Sequence, residues 1–413
     1  MKYLLMCVSP NITTGYGILG NNLIKGFLKN KVDIKYLGLQ TIGAQEKDWL
    51  LPMKEDIYGI DALQYYIPLL GINYVITIMD HWVPYYHYLP GVLKNLKCGH
   101  IAHVTENGIP LGTGNMQQLK DADFLIAPSK FVEKQLLNVF PKEKVRMIYH
   151  GVDTKIFKPL KKEEIEKHKE KIGYKDKFVF LCVATNTAAI QKNWPGVFYA
   201  YKIFLAQNPE AKKDTLLHCQ TDMRHPAGYD LELLAKKFGI DKNVYYIDVK
   251  LNTGFPPEEM VKLYNLSDCH ISAGMGESFG LPILEGMACG LPQIFPNHTT
   301  GPELIEEPKT GLLVDLIKMK NGQEFGMTAP SMNDRFWPDP IDMAEKMTII
   351  YKDKKLREKF SRNGIKFAKG FDWEKYIIPQ WIEFFKHIEE VEKKKLTKEE
   401  KKKEIRKLVK AGI

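Results

Sequence analysis

The fold is decided by the stretch Ser272-Ala273-Gly274-Met275-Gly276-Glu277-Ser278-Phe279-Gly280-Leu281-Pro282-Ile283-Leu284-Glu285-Gly286-Met287-Ala288-Cys289-Gly290-Leu291-Pro292. An apolar strand ends near Ala273 and a glycine-rich loop follows. A helix then begins with Pro282 in its first turn and stops at Gly290, where proline and glycine suit a helix's two ends. Backbone N–H groups around residues 279–281 are free at the helix start, and the positive end of its dipole suits a phosphate. Glu277 and Glu285, eight residues apart, flank that anion site. A carboxylate cannot bind phosphate, but it accepts two hydrogen bonds from neighbouring sugar hydroxyls. One diphosphate position between two hydroxyl-reading carboxylates describes a nucleoside-diphosphate sugar.

The same alternation of strand and helix repeats on either side. Residues 2–8 are a near-continuous apolar run, as expected of a parallel strand covered on both faces. Leu19, Leu23 and Phe27 recur every four residues and mark a helix stripe. Further strands are read at 32–39, 74–79, 101–105 and 124–127, and a helix at 130–138. A second series follows residue 176, with strands at 178–184, 215–220, 244–249, 269–273 and 291–295. Its helices fall at 195–207, 231–238 and 256–265. This pattern predicts an α/β protein of two doubly wound, Rossmann-like domains facing a central cleft. The expected boundaries are 1–150 for the first domain, 151–175 for a hinge and 176–372 for the second domain.

Composition narrows the class. The 413 residues are 44% hydrophobic and 26% charged, which is ordinary for a globular protein and excludes a disordered or fibrous chain. The net charge is +9, but residues 386–413 hold eleven basic and six acidic residues. The body is therefore close to balanced and lacks the footprint of a nucleic-acid binder. The six cysteines form no Cys-x-x-Cys pair, which suits reduced, buried thiols in a cytoplasmic protein. The apolar start is too short, and lacks the small-residue cleavage site, for a signal peptide. The most apolar stretch, 69–79, is broken by Gly71 and Asn73 and cannot supply the roughly 20 apolar residues of a membrane helix.

The Glu-x7-Glu pattern, set in Gly276-Glu277-Ser278-Phe279-Gly280-Leu281-Pro282 and Glu285-Gly286-Met287-Ala288-Cys289-Gly290-Leu291-Pro292, resembles the signature of retaining glycosyltransferases of family four, which have the GT-B fold. Ala127-Pro128-Ser129-Lys130-Phe131 is similar to that family's segment before the hinge. Tyr149-His150-Gly151-Val152-Asp153, followed by Phe157 and Pro159, resembles the segment that enters it. Leu263-Tyr264-Asn265 with Ser267-Asp268 precedes the signature; Glu303-Leu304-Ile305 and Gly311-Leu312-Leu313-Val314 follow it. The resemblance covers roughly residues 1–390.

This resemblance implies roles. Glu277 would contact the transferred sugar and Glu285 the ribose, with Ser278, Phe279, Gly280 and Leu281 lining the donor site between them. Lys192, in Asn186-Thr187-Ala188-Ala189-Ile190-Gln191-Lys192-Asn193, fits the family's diphosphate-clamping lysine. The usual arginine is absent and Gln191 stands in its place, bringing a hydrogen-bond donor but no charge. Gly15 and Gly17 belong to Gly15-Tyr16-Gly17-Ile18-Leu19-Gly20, a literal Gly-x-Gly-x-x-Gly. A nicotinamide site would need an acidic residue ending the next strand, which instead ends Leu39-Gln40. The family reading is a loop that approaches the donor phosphates; the competing one is a turn that only feeds a helix. His103, near the carboxyl end of a strand, occupies a position comparable to a histidine that contacts the donor sugar in many members, and packing alone is its competing explanation. Asp80, His81, Trp82 and Glu106 are expected on the acceptor side.

The implied activity is a retaining transfer, a hexosyl transfer by resemblance, from a UDP- or GDP-linked sugar to a hydroxyl of a glycan, lipid-linked or small-molecule acceptor. The diphosphate would leave from the face that the acceptor attacks. No Asp-x-Asp pair stands in a metal-binding context, so neither metal nor cofactor is expected, and positive groups take that part. The alternatives are a GT-B isomerase or phosphorylase, or a non-catalytic nucleotide-sugar-binding protein. Trp373, Tyr376, Ile377, Trp381 and Phe385 resemble the family's closing helix, about 373–392, which packs back on the first domain. The lysine-rich tail, 393–413, is read as a solvated helix, with contact to an anionic membrane at the inner face as the sharper alternative.

Overall fold

The computed structural model describes residues 1–40, 47–186, 190–247 and 254–410, and leaves aside the side chains of 84, 85, 396 and 398–410. The first domain is built on seven strands: β1 (Tyr3–Val8), β2 (Ile34–Leu39), β3 (Leu50–Leu51), β4 (Tyr74–Met79), β5 (Gly99–Val104), β6 (Phe124–Ala127) and β7 (Val145–Met147). Their order is β3-β2-β1-β4-β5-β6-β7, and every pairing is parallel. The second domain holds β8 (Phe178–Val183), β9 (Thr215–Gln220), β10 (Val244–Tyr245), β11 (Cys269–Ile271), β12 (Gln293–Pro296) and β13 (Gly311–Val314). They too form one parallel sheet, in the order β10-β9-β8-β11-β12-β13. The strand read at 244–249 is described over its first two residues; 248–253 lie outside the described residues.

Each sheet has the same switch point. β1 lies between β2 and β4, and β8 between β9 and β11. Chain connections diverge there to opposite faces, leaving a crevice at the carboxyl ends of the strands. The loops after β1, β4 and β5 open on one crevice, and those after β8, β11 and β12 on the other.

The chain passes between the domains twice, side by side. Val152 N–H donates to the Phe371 carbonyl at 2.8 Å, and the Thr154 hydroxyl donates to Asp372. Gly151 has no room for a Cβ, which would lie 2.6 Å from the Trp373 ring. From Val152 onward the expected hinge is docked on the second domain: Val152 and Phe157 join its core, and Lys162–Lys171 is a helix tied down by Lys169–Asp268 at 3.6 Å.

The last helix, Ile378–Lys410, returns to the first domain. Trp381, Phe384, Phe385 and Ile388 enter the core with Tyr3, Leu23, Phe27 and Phe124. Gly26 is glycine because a Cβ there would lie 2.3 Å from Ile378 Cδ1. Docking continues to Glu392, which accepts from the Tyr74 hydroxyl at 2.9 Å. The helical backbone runs on without a break to Lys410, through the lysine-rich segment. Side chains beyond Thr397 are outside the described residues, so the tail's polarity is read from sequence alone. Among the described residues, no helix is long and apolar enough to cross a membrane.

A third unit, the antiparallel pair β14 (Gly326–Thr328) and β15 (Asp334–Phe336), projects between β13 and the helix Pro340–Lys352.

Trp381 is 2% exposed, and its ring lies 5.6 Å from that of Phe27. Trp381→Ala should therefore lower unfolding free energy by about 3–5 kcal/mol, as other large aromatic truncations in cores do. Denaturant titration measures this; a loss under about 1 kcal/mol would show that the helix is not part of the first domain's core.

Candidate active site

The second-domain side is made by two loops that leave neighbouring strands. β8 feeds the loop carrying Gln191 and Lys192, of which 187–189 lie outside the described residues, and β11 feeds Ser272–Gly280. The loops are laced together. Met275 N–H donates to the Gln191 carbonyl at 2.8 Å, and Gln191 Nε2 donates to the Gly276 carbonyl at 3.3 Å. This brings Lys192 Nζ into an ion pair with Glu277, their side chains 23% and 19% exposed. Asn193, in the left-handed region with φ 49°, ends the loop and caps the helix Trp194–Gln207 by accepting from Gly196 N–H at 3.1 Å. Glu277 N–H donates to Thr299 Oγ1 at 3.2 Å.

Gly280 has φ 93° and turns the loop into the helix Leu281–Ala288 with no side-chain cap. Its successor Leu281 and the neighbouring backbone form the positive end of that helix. Phe279 is buried with its ring 4.8 Å from His150, and the Ser278 carbonyl accepts from Ser129 Oγ of the first domain at 2.7 Å. Gly276 is glycine for space: a Cβ would lie 1.8 Å from the Asn107 carbonyl oxygen, across the domain boundary. Glu285, one turn into the helix, accepts from Tyr264 Oη at 2.8 Å. Burial pushes its carboxyl up to about 7, against the lowering effect of that hydrogen bond.

On the first-domain side, Tyr16 donates to Asp80 Oδ1 at 2.9 Å and lies 2.9 Å from Thr105 Oγ1. Burial raises the Asp80 carboxyl, and the Tyr16 hydrogen bond and the Arg335 charge oppose that rise. Gly15 and Gly17 stand in the first turn of the helix Gly15–Lys29, capped by Thr14. Gly15 has open space around it. Gly17 does not: a Cβ would lie 1.9 Å from the Ile12 carbonyl oxygen, so its small size is explained by packing against its own loop. Trp82, half-buried, backs onto Gly114.

Two expectations, for Glu106 and His81, are corrected, and His103 is found in a buried pair. Glu106 does not offer its carboxylate to an acceptor. It is 1% exposed, and its oxygens accept from the backbone N–H groups of Asn107 (2.9 Å), Gly108 (3.2 Å) and Gly112 (3.2 Å) and from the Asn115 amide (2.9 Å). The Asn333 side-chain amide, on the β14–β15 hairpin, also donates to it. His81 turns back into the sheet: it is 2% exposed with Nε2 2.9 Å from Thr77 Oγ1, which also meets His100 Nε2 at 2.9 Å. His103 lies against His150, with Nε2 atoms 3.0 Å apart and rings stacked at 5.0 Å, the packing that was its competing explanation. Burial lowers His103 to about 4 and His150 well below its ordinary value, so both are neutral near pH 7. His103 therefore supports Phe279 through His150.

The sequence reading missed His150, Thr299 and Tyr264 as partners of the motif, and the whole hairpin. Arg335 on β15 places Nη1 3.3 Å from Gln191 Oε1.

Known proteins resemble this chain in sequence and in fold. Residues 163–316 match the family model described as Glycosyl transferases group 1. The chain thus carries a glycosyl transferase group 1 domain. The D-inositol 3-phosphate glycosyltransferase of Corynebacterium efficiens is 27% identical over 140 residues, which is 34% of this chain and 27% of that protein. That of Thermobifida fusca is 23% identical over 262 residues, 62% of this chain and 53% of that protein. The chain thus spans between about a quarter and a half of these relatives' length. Among solved structures, sucrose-phosphate synthase from Thermosynechococcus elongatus superposes with a TM-score of 0.73 at 16% identity, covering 95% of this chain and 100% of that one. Anabaena HepE, solved with UDP-glucose, gives 0.71 at 16% identity, covering 94% and 100%. These likenesses show the fold, which is GT-B.

Because Glu106 meets five donors, Glu106→Ala should cost about 3 kcal/mol or more, each unmet buried donor being worth about 1–3 kcal/mol. Chemical denaturation measures this. Unchanged stability together with a defect in acceptor binding alone would restore Glu106 to the acceptor side.

Proposed function

We propose that this protein is a retaining family-four glycosyltransferase that moves a hexose from a nucleoside-diphosphate sugar to a hydroxyl acceptor, a glycan or lipid-linked molecule. The observation that carries this reading is the pairing of Lys192 with Glu277 on two laced loops beside the start of the helix Leu281–Ala288, with Glu285 one turn further on. A cation and a helix N-terminus flanked by two carboxylates fit a diphosphate between a sugar and a ribose. The UDP-glucose complex of HepE on the same fold supports a nucleotide sugar as donor.

In the proposed reaction, Glu277 accepts hydrogen bonds from hydroxyls of the transferred sugar, and Glu285 from the ribose diol. The bond between the anomeric carbon and the diphosphate oxygen breaks, and its electron pair stays with the diphosphate. The acceptor oxygen bonds to the anomeric carbon on the same face, and its proton passes to the departing diphosphate oxygen. Lys192 and the helix N-terminus stabilise the developing negative charge, a task for which preorganised donors are effective.

Lys192→Ala should lower kcat by about 10²–10³, the loss seen for one oxyanion-stabilising donor, and leave the melting temperature near wild type. Release of nucleoside diphosphate from a panel of UDP- and GDP-sugars reports it. A folded variant with wild-type turnover would remove the lysine from the mechanism.

Glu285 supplies a pH test. Its carboxyl titrates near 7 in the free protein, and only the ionised form offers both oxygens as acceptors. The fraction ionised rises about tenfold between pH 6 and 8. Affinity for UDP-glucose or GDP-mannose, whose diphosphates carry no group titrating in that range, should rise by up to that factor, and Glu285→Gln should flatten the curve. Calorimetry at three pH values decides; parallel curves for the two proteins would exclude Glu285 from the ribose site.

A further inference from the structure

The stretch matching the group 1 family ends at residue 316. The β14–β15 hairpin comes directly after it. It is rooted in the second domain by the bridge between Leu316 and Pro338. Its other end is held by the first domain. Asp334 and Ile109 exchange both backbone hydrogen bonds, at 2.9 and 3.0 Å, Asn333 donates to Glu106, and Gly112 has no room for a Cβ beside the Ser331 carbonyl.

Arg335 sits between these two anchorages and is half-buried. Its Nη1 donates to Gln191, whose amide in turn donates to Gly276, beside Glu277. Its charge interacts with Glu106, Asp80 and Glu277. None of these pairs with it directly: among the described residues no carboxylate lies within ion-pairing distance of the guanidinium. Its buried Nε has no hydrogen-bond partner among them either. Glu106 is saturated and Glu277 is held by Lys192. A guanidinium with unused donors therefore stands beside the Lys192–Glu277 pair.

We propose that Arg335 binds the diphosphate of the sugar donor and supplies, from the hairpin, the guanidinium that position 191 lacks. The assignment rests on the nucleotide-sugar reading above. Lys192 is already paired with Glu277, and Asp80 and Glu106 add negative charge around Arg335, so a doubly charged diphosphate needs a second cation there. The planar fork of arginine suits phosphate oxygens better than an ammonium does. Gln191 is then accounted for: its carbonyl oxygen holds the guanidinium, where an arginine would repel it.

Calorimetry on the full chain with UDP, UMP, GDP and GMP tests this. Wild type should bind one nucleoside diphosphate more tightly than its monophosphate. Arg335→Gln should weaken that diphosphate by about tenfold to a hundredfold, the range for a charged hydrogen-bond partner, and change monophosphate affinity little. Arg335→Lys, which keeps the charge without the fork, should fall between. Adding Gln191→Arg to Arg335→Gln should recover part of the loss, a rescue that a purely structural bracket would not give. If wild type prefers the diphosphate but Arg335→Gln and Arg335→Lys weaken both nucleotides equally, or neither, Arg335 only braces the hairpin. If wild type binds no nucleoside diphosphate, the donor reading itself falls and the assignment falls with it.

Discussion

The site depends on the parallel pairing of β8 with β11. Cys269 stands opposite Phe180 and His270 opposite Leu181, so the carboxyl ends of the two strands lie side by side. Parallel strands that leave a sheet at its switch point send their loops into one crevice. That geometry starts the approach of residues 192 and 277 across 85 residues of sequence. The Met275–Gln191 backbone hydrogen bond then extends the ladder past the strands themselves. A slip of one residue in that pairing would turn every side chain of β11 to the other face and part the two loops.

The contact between the two domains combines the ring of Phe279 against His150 and Tyr149 with a set of hydrogen bonds. Ser129 Oγ accepts from Val132 N–H as a helix cap and donates its own proton to the Ser278 carbonyl. Glu303, of the second domain, accepts from Lys130 N–H at 2.9 Å at the start of the same first-domain helix, Lys130–Leu137. Glu106 binds its own loop and the hairpin together. Carboxylates and hydroxyls aimed at backbone N–H groups set the relation of the domains more specifically than apolar contact would, because each has few acceptable partners. The two side-by-side crossings at 151–154 and 371–373 restrict how the domains separate.

What the sequence made legible has local causes. The strands of both sheets read as apolar runs because parallel strands are buried on both faces. The stretch from Ser272 to Pro292 announced itself through glycines and a proline whose placement is a backbone requirement. Glu106 and His81 were misread because a strand end fixes where a residue stands but not where its side chain turns. For Glu106 the answer lies in donors at 107–115 and at Asn333; for His81, in Thr77 within its own strand. The hairpin had no signal at all. Its strands are three residues each, too short for alternation to show, and its position is set by Ile109 and Glu106, more than 220 residues earlier.

That division bears on how the chain acquires its own specificity. The family match begins at residue 163 and stops at 316, so it holds Lys192, Glu277 and Glu285 but neither Asp80, Tyr16 nor Arg335. Under the proposed reading, the matched segment supplies the common part of the chemistry, the grip on sugar and ribose. The first domain and the hairpin face that grip from outside the match. The hairpin is fastened by the Asp334–Ile109 backbone pair and by the inward side chains of Asn333 and Arg335, which leaves exposed side chains such as Met327 and Met332 free to change. The same frame can therefore carry different residues over one donor site, and the missing arginine beside Lys192 is understandable as a charge moved to that frame.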